Sequence, residues 1–260
     1  MTVALIDGDI AAFRAAAACS KTFDFGDGVI GQKNDFAGSA DAAISTIDTW
    51  ARLAKCKDVL VCFTGTHNFR RNVLPSYKAN RTKGKPATFQ HTVEAVHERF
   101  ETRMVDGLEA DDLLGILLTT PGKYDDAVCC TIDKDLRTVA GRHFNPLKET
   151  KPVTIPQSYG DWFWMVQTLK GDAVDGYTGL PGCGEKTAEK ILGSPGAPVE
   201  ALWRFVLKAY RDKKLTETDA LIQARVARIL RRCDYDKQTK EVLLWHPSKT
   251  ERLSLATVCA

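Results

Sequence analysis

Asp172 and Asp175 stand three residues apart, a spacing that turns both carboxylates toward one point if the backbone there is helical or tightly turned. Directly after them, Gly179-Leu180-Pro181-Gly182-Cys183-Gly184 reads as a tight glycine turn, and Glu185-Lys186-Thr187-Ala188 opens a helix running to Leu192. Gly182 and Gly184 let backbone amides approach a phosphate, and the helix start aims its positive dipole end at the same place. A carboxylate pair beside such a cradle indicates metal-dependent work on a nucleic-acid strand. The alternative for this stretch alone is a glycine-rich helix–helix turn with solvated aspartates.

More carboxylates recur where an α/β chain would put them to use. Val3-Ala4-Leu5-Ile6 is an apolar strand ending at Asp7, and a helix is expected from there to about Cys19. The run Asp126 to Ile132 is another strand, ending in Asp133-Lys134-Asp135. Glu109, Asp111 and Asp112 open a helix at Leu113 to Leu118; one acid there would serve as a cap, but three within four positions repel one another. With Asp172 and Asp175 these make eight carboxylates, expected to converge on one cleft that cations must neutralise. Oxygen-only ligands select Mg2+ or Mn2+ over zinc, and two such ions about 3.5–4 Å apart can clamp a phosphodiester. None of the five histidines sits in a triad-like context, and His67 and His143 are read as structural.

The elements that must position these groups alternate. Asp24 to Gly38 reads as a loop or hairpin, Ala40 to Lys55 as a helix, Asp58 to Phe63 as a buried strand. Val93 to Phe100 is a helix and Thr102 to Val105 a strand; Phe144 to Gln157 is a proline-bearing connector, followed by an aromatic helix from Tyr159 to Leu169. Beyond Gly193 the chain is helical, Val199 to Arg211 and Glu217 to Arg232, with a late strand at Glu241 to Trp245. Strands alternating with helices predict a mostly parallel sheet flanked by helices, with working residues at the carboxyl ends of its strands.

Charge is distributed unevenly although the net value is only +3. No acidic residue lies between Asp58 and Glu94, while Arg70, Arg71, Lys78, Arg81, Lys83 and Lys85 accumulate with Phe69, Tyr77 and Phe89 interleaved. That pattern suits phosphates and unstacked bases; the alternative is a solvated loop. From Arg204 to Arg232, nine basic residues face three acids. A chain of 260 residues, 44% hydrophobic and 27% charged, is an ordinary globular protein of one or two domains. The eight cysteines form no C-x-x-C pair and are expected as buried thiols; no apolar run reaches 18 residues. A cytoplasmic protein without a membrane anchor is expected.

With these residues in view, the chain resembles the 5′ nuclease, or flap endonuclease, family, and more narrowly the 5′→3′ exonucleases of short-tailed coliphages. The resemblance is carried by ALIDGD, NFRRNVLPSYKANR, LEADD, TIDKD, TLKGDAVDGYTGLPGCGEKTAEKIL and ARILRRCDYDKQTKEVLLW, in that order. It implies a PIN-like α/β nuclease core over residues 1–157 with a basic arch at about 66–92. A helical duplex-binding region follows over 158–260, with a helix–turn–helix hairpin at about 168–192 and a late segment packing back on the core. Asp7, Glu109, Asp111 and Asp112 would bind one metal region, and Asp133, Asp135, Asp172 and Asp175 would complete it and form the second, for two Mg2+ or Mn2+ ions. Lys78 and Arg81 match residues that contact the scissile phosphate, and Tyr77 would stack on a terminal base. Arg70, Arg71, Lys83, Gly179, Gly182, Gly184, Lys186 and Thr187 would contact DNA, with K+ at the hairpin. The implied activity is 5′→3′ exonucleolytic cleavage of double-stranded DNA, with flap cleavage and removal of RNA from RNA–DNA hybrids, in phage replication or recombination. Partners beyond DNA, such as replication proteins, are not specified by the sequence, and the alternative activity is a weakened, structure-specific DNA-binding protein. One departure stands out: where relatives carry an aspartate after the second strand, this chain has Phe63-Thr64-Gly65-Thr66. Asp9 and Asp106 lie outside the family pattern and are read as turn or cap residues.

Overall fold

The computed structural model describes residues 2–24, 26–27, 30–82 and 84–248. In chain order its elements are β1 (Val3–Asp7), α1 (Gly8–Cys19), β2 (Ser20–Asp24), β3 (Ile30–Asn34), α2 (Phe36–Leu53), β4 (Asp58–Asn68) and the short α3 (Arg70–Val73). Then come α4 (Phe89–Arg99), β5 (Glu101–Gly107), α5 (Ala110–Leu118), β6 (Val128–Cys130), β7 (Gly141–Phe144) and β8 (Val153–Ile155). The remainder is α6 (Gln157–Lys170), α7 (Glu185–Leu192), α8 (Val199–Asp212), α9 (Glu217–Ala227), β9 (Tyr235–Asp236) and β10 (Glu241–Val242). Two compact units emerge: Met1–His67, Lys83–Lys134 and Gly141–Thr154 in one, Asn68–Thr82, Asp135–Ala140 and Ile155–Ala260 in the other. The expected arch, about 66–92, is thus divided between them.

The first unit is built on a sheet of order β5-β4-β1-β6-β7-β8, in which β1 pairs in parallel with β4 and β6, and β6 in parallel with β7. Its inner strands are continuous apolar runs because helices cover both faces, so no alternation is needed. Ala4, Leu5, Ile6, Val61 and Cys62 are buried, and Ile47 and Trp50 of α2 and Val93 and Val96 of α4 pack in one core with Ala4, Ile6 and Val61. The glycine-rich stretch after α1 is a hairpin of β2 against β3. β4 runs well past Phe63, so Thr64 and Gly65 lie inside the strand.

The second unit is helical. Trp164 and Leu169 of α6, Leu192 of α7, Trp203 and Val206 of α8 and Ala224 of α9 share one core. Trp245 stands edge-on to Trp164 and to Trp203, with centroids 4.8 and 5.1 Å away, so the late segment packs within this unit. α9 ends at Ala227 rather than Arg232. Arg228 turns extended and its Nε donates to Asp234 at 2.8 Å; Arg231 donates to Asp161 at 2.7 Å and to the Thr138 carbonyl at 2.8 Å. Both guanidinium groups are buried, and desolvated charge requires such partners, so two of the nine cations counted in this stretch are engaged inside the fold. Seven cysteines among the described residues are thiols; Cys62, Cys129, Cys130 and Cys183 are buried, whereas Cys233 is exposed. No helix among the described residues is long and apolar enough to cross a membrane.

Candidate active site

Asp7 ends β1 and caps α1. Its carboxylate accepts from the Ile10 amide at 3.1 Å and from the Thr131 hydroxyl at 3.0 Å, just beyond β6. Burial, with the neighbouring charges of Asp9 and Asp133, raises its pKa to about 7 against the hydrogen bonds that lower it.

Glu109, Asp111 and Asp112 meet at the start of α5, each offering a carboxylate oxygen within 4.8 Å of the others. Asp112, fully buried, accepts from the Glu109 amide at 3.1 Å and so serves as part of the helix cap; Asp111 accepts from the Asp112 amide at 2.7 Å. Three oxygen donors without sulfur or imidazole are the set a hard divalent cation takes. Thr64 braces this corner: its hydroxyl accepts from the Ala110 amide at 3.0 Å, and its own amide donates to Asp9 at 3.0 Å. Asp9, on the first turn of α1, therefore ties that helix to β4 at Thr64. Asp106 accepts from the Thr66 hydroxyl and, at 3.1 Å, from the His67 amide, on the exposed rim of β4. The hydroxyl of Thr64 had a sequence signal, a polar residue directly after the apolar run Asp58 to Phe63, whereas Thr131 lies inside the run Asp126 to Ile132.

In the second unit, Asp172 closes a tight turn. Its carboxylate accepts from the amides of Val174 at 2.7 Å and Asp175 at 3.2 Å, and its backbone pairs with Tyr177. Asp135, on a 3₁₀ turn, accepts from the Gln167 side chain at 2.6 Å. Burial first, then the charges of Asp135, Asp172 and Asp175, push the Tyr177 phenol well above its ordinary range. Asp175 is met by Arg81 at 2.5 Å, Lys78 at 3.6 Å and the Tyr77 hydroxyl at 3.3 Å.

Two expected DNA contacts are placed otherwise. Tyr77 is buried in the core of the helical unit, with its ring beneath the Lys78 ammonium, so it presents no face for a base. Arg70 is also buried, donating to the carbonyls of Val226 at 2.9 Å and Arg228 at 2.8 Å; carbonyls, not phosphates, take its guanidinium. Arg71 is exposed on α3, and Lys83 lies outside the described residues. Gly179 has φ +62° and a Cβ there would lie 2.4 Å from the Gly171 nitrogen, so this glycine serves backbone packing, with its amide given to Gln223 at 2.9 Å. Gly182 and Gly184 face open space, and Lys186 and Thr187 are exposed on the first turn of α7.

A family description, "5'-3' exonuclease, N-terminal resolvase-like domain", matches residues 2–160. The chain belongs to this 5′→3′ exonuclease family. Similar relatives are the exonuclease of Escherichia phage T7, 27% identical over 94% of this chain and 93% of that protein, and the exodeoxyribonuclease of Enterobacteria phage T3, 29% identical over the same shares. The fold is also that of a bacteriophage T5 flap endonuclease solved as a pseudo-enzyme–product complex with DNA and metal ions: 19% identity, 87% of this chain, 99% of that one, TM-score 0.56. As a member of the family this chain is a 5′→3′ nuclease, and its acidic cluster is consistent with metal-dependent chemistry.

The family's missing aspartate has a local explanation in this exonuclease. A Cβ on Gly65 would lie 2.2 Å from the Val105 carbonyl oxygen, so aspartate cannot enter there without moving β5. Thr64 is the position that could carry it, since an aspartate would keep the acceptor for the Ala110 amide and add charge beside Glu109 and Asp111. Thr64→Asp is expected to lower the Mg2+ concentration for half-maximal cleavage by about three-fold, because ligand charge sets cation affinity. A Mg2+ titration of the single-turnover rate checks this.

Proposed function

We propose that the chain is a divalent-metal-dependent 5′→3′ exonuclease of double-stranded DNA, releasing nucleotides from 5′ ends. Cleavage of 5′ flaps and removal of RNA from RNA–DNA hybrids belong to the same reading, in phage DNA replication or recombination in the host cytoplasm. The observation that carries it is the Glu109–Asp111–Asp112 cluster in a chain of this family. Its all-oxygen donor set, with Asp7 and Asp133 in the same unit, suits Mg2+ or Mn2+. Asp135, Asp172 and Asp175 form the second acidic set, for a second ion. Bound divalent ions supply an acidified water and offset charge on the leaving oxygen. Lys78 and Arg81 are the cations for the substrate phosphate, where fixed positive charge stabilises what develops in the transition state. Gly182 and Gly184, with Lys186 and Thr187, present amides and side chains to the duplex backbone, and K+ at this hairpin belongs to the same proposal.

The test is a product ladder from 5′-labelled blunt, nicked, flapped and hybrid substrates in Mg2+ beside an EDTA control. Labelled 5′ products in Mg2+ alone support the reading; cleavage that persists in EDTA, or binding without cleavage in Mg2+, overturns it.

Gly184 has extended backbone (φ −84°, ψ 177°) with open space around it, so a β-branched residue fits the fold there. Gly184→Val is therefore expected to leave the saturated single-turnover rate unchanged while weakening duplex binding about three- to ten-fold, the range of one lost hydrogen bond. Fluorescence anisotropy on a labelled duplex in EDTA measures it.

A further inference from the structure

Residues 76–81 and the turn from Asp172 to Tyr177 are joined within the helical unit by more than ion pairs. The Lys78 amide donates to the Asp175 carbonyl at 2.8 Å, the Ser76 hydroxyl to the Gly176 carbonyl at 3.2 Å, and the Asn80 side-chain amide to the Ala173 carbonyl at 2.8 Å. At Gly176, with φ +75°, the two backbones come closest: a Cβ there would lie 2.7 Å from the Ser76 carbonyl oxygen. Lys78 itself has φ +53°, a left-handed backbone uncommon for a side chain of its size, and its bond to Asp175 holds it there. Asn80 is exposed and uncharged, so core burial and ion pairing do not account for its placement.

We infer that Asn80 is a positioning residue for the cleavage reaction: its side chain ties the segment bearing Lys78 and Arg81 to the turn bearing Asp172 and Asp175. The two cations and two carboxylates are thereby held as one preassembled group before a metal ion or phosphate arrives. Preassembly matters because electrostatic catalysis depends on charges that need no reorganisation at the moment of reaction, and long exposed side chains otherwise sample many rotamers. The inference rests on the reading that Lys78, Arg81, Asp172 and Asp175 act on the substrate phosphate.

Asn80→Ala removes the tie without disturbing the core. In EDTA, hydrogen exchange at the Lys78 amide is expected to accelerate about three- to ten-fold, as for loss of one hydrogen bond. In Mg2+ the saturated single-turnover rate is expected to fall by about the same factor with DNA affinity unchanged. Unchanged exchange together with an unchanged rate overturns the inference. So does a loss confined to DNA affinity, which would make Asn80 a DNA contact. Lys78→Ala runs beside it: a wild-type rate there removes the underlying role of Lys78, whereas a slow Lys78→Ala protein beside a wild-type Asn80→Ala protein removes only the positioning role.

Discussion

Asp111→Ala is expected to lower the single-turnover cleavage rate about a thousand-fold or more while leaving duplex affinity near that of the unaltered protein, since a catalytic cation contributes several kcal/mol to charge stabilisation. Asp111 is chosen from the three-acid cluster for a structural reason. Asp112 is fully buried and caps α5 through the Glu109 amide, and Glu109 is itself the N-cap residue, so replacing either also disturbs the helix start. Asp111 is only partly buried, and its 2.7 Å bond to the Asp112 amide is local. Rapid-quench measurement in Mg2+, paired with anisotropy in EDTA, separates the two effects. A variant that binds and cleaves like the unaltered protein would remove the cluster from the chemistry. One that loses binding as well would make Asp111 part of the grip on DNA.

The second large effect lies in the pH dependence of the metal-free protein. Burial first, with Asp9 and Asp133, raises the folded-state pKa of Asp7 from 3.8 to about 7. Between those values the folded state therefore holds a proton that the unfolded state has released. Stability of the apo protein is thus highest below about pH 4 with respect to this group, and falls as pH rises through about 7. Asp7→Asn keeps an acceptor oxygen for the Ile10 amide and turns an NH2 donor toward the Thr131 hydroxyl oxygen, which can accept, and it carries no charge. In EDTA at pH 8 this variant should be more stable than the unaltered protein, by on the order of 4 kcal/mol, and the difference should vanish below about pH 4. Saturating Mg2+ should reverse the order at pH 8, since cation binding stabilises only a chain that retains its ligands. Denaturant midpoints across pH, with and without Mg2+, measure this. Parallel pH profiles for the two proteins in EDTA would refute the raised pKa of Asp7. The same variant should not cleave, the usual pairing of a destabilising charge with function.

The class of fold and the family were legible in the sequence because both rest on local patterns. Val3 to Ile6 and the apolar run of β6 are continuous, as strands covered on both faces must be, and the helices between them follow from spacing alone. The cluster at Glu109, Asp111 and Asp112 lies within one helical turn, so its charge repulsion, and hence its need for a cation, was visible without any long-range information. What tertiary structure decided is which polar residues face inward and what meets them there. Arg70 and Tyr77 stand in the same cationic, aromatic stretch as Lys78 and Arg81, yet the first two are buried. Their partners are Val226 and Arg228 for one and Asp175 for the other, about a hundred or more positions away along the chain. Arg228 and Arg231 likewise read as basic surface until Asp234 and Asp161 are seen beside them. Gly65 passes in sequence for a site that could accept aspartate, and only the Val105 carbonyl pressed against it excludes that. Spacing along the chain reports which side chains share a turn of helix or a face of a strand. Burial and hydrogen bonding between distant segments are properties of the folded chain, and they determine whether a given cation is available to a phosphate or already held by a carbonyl.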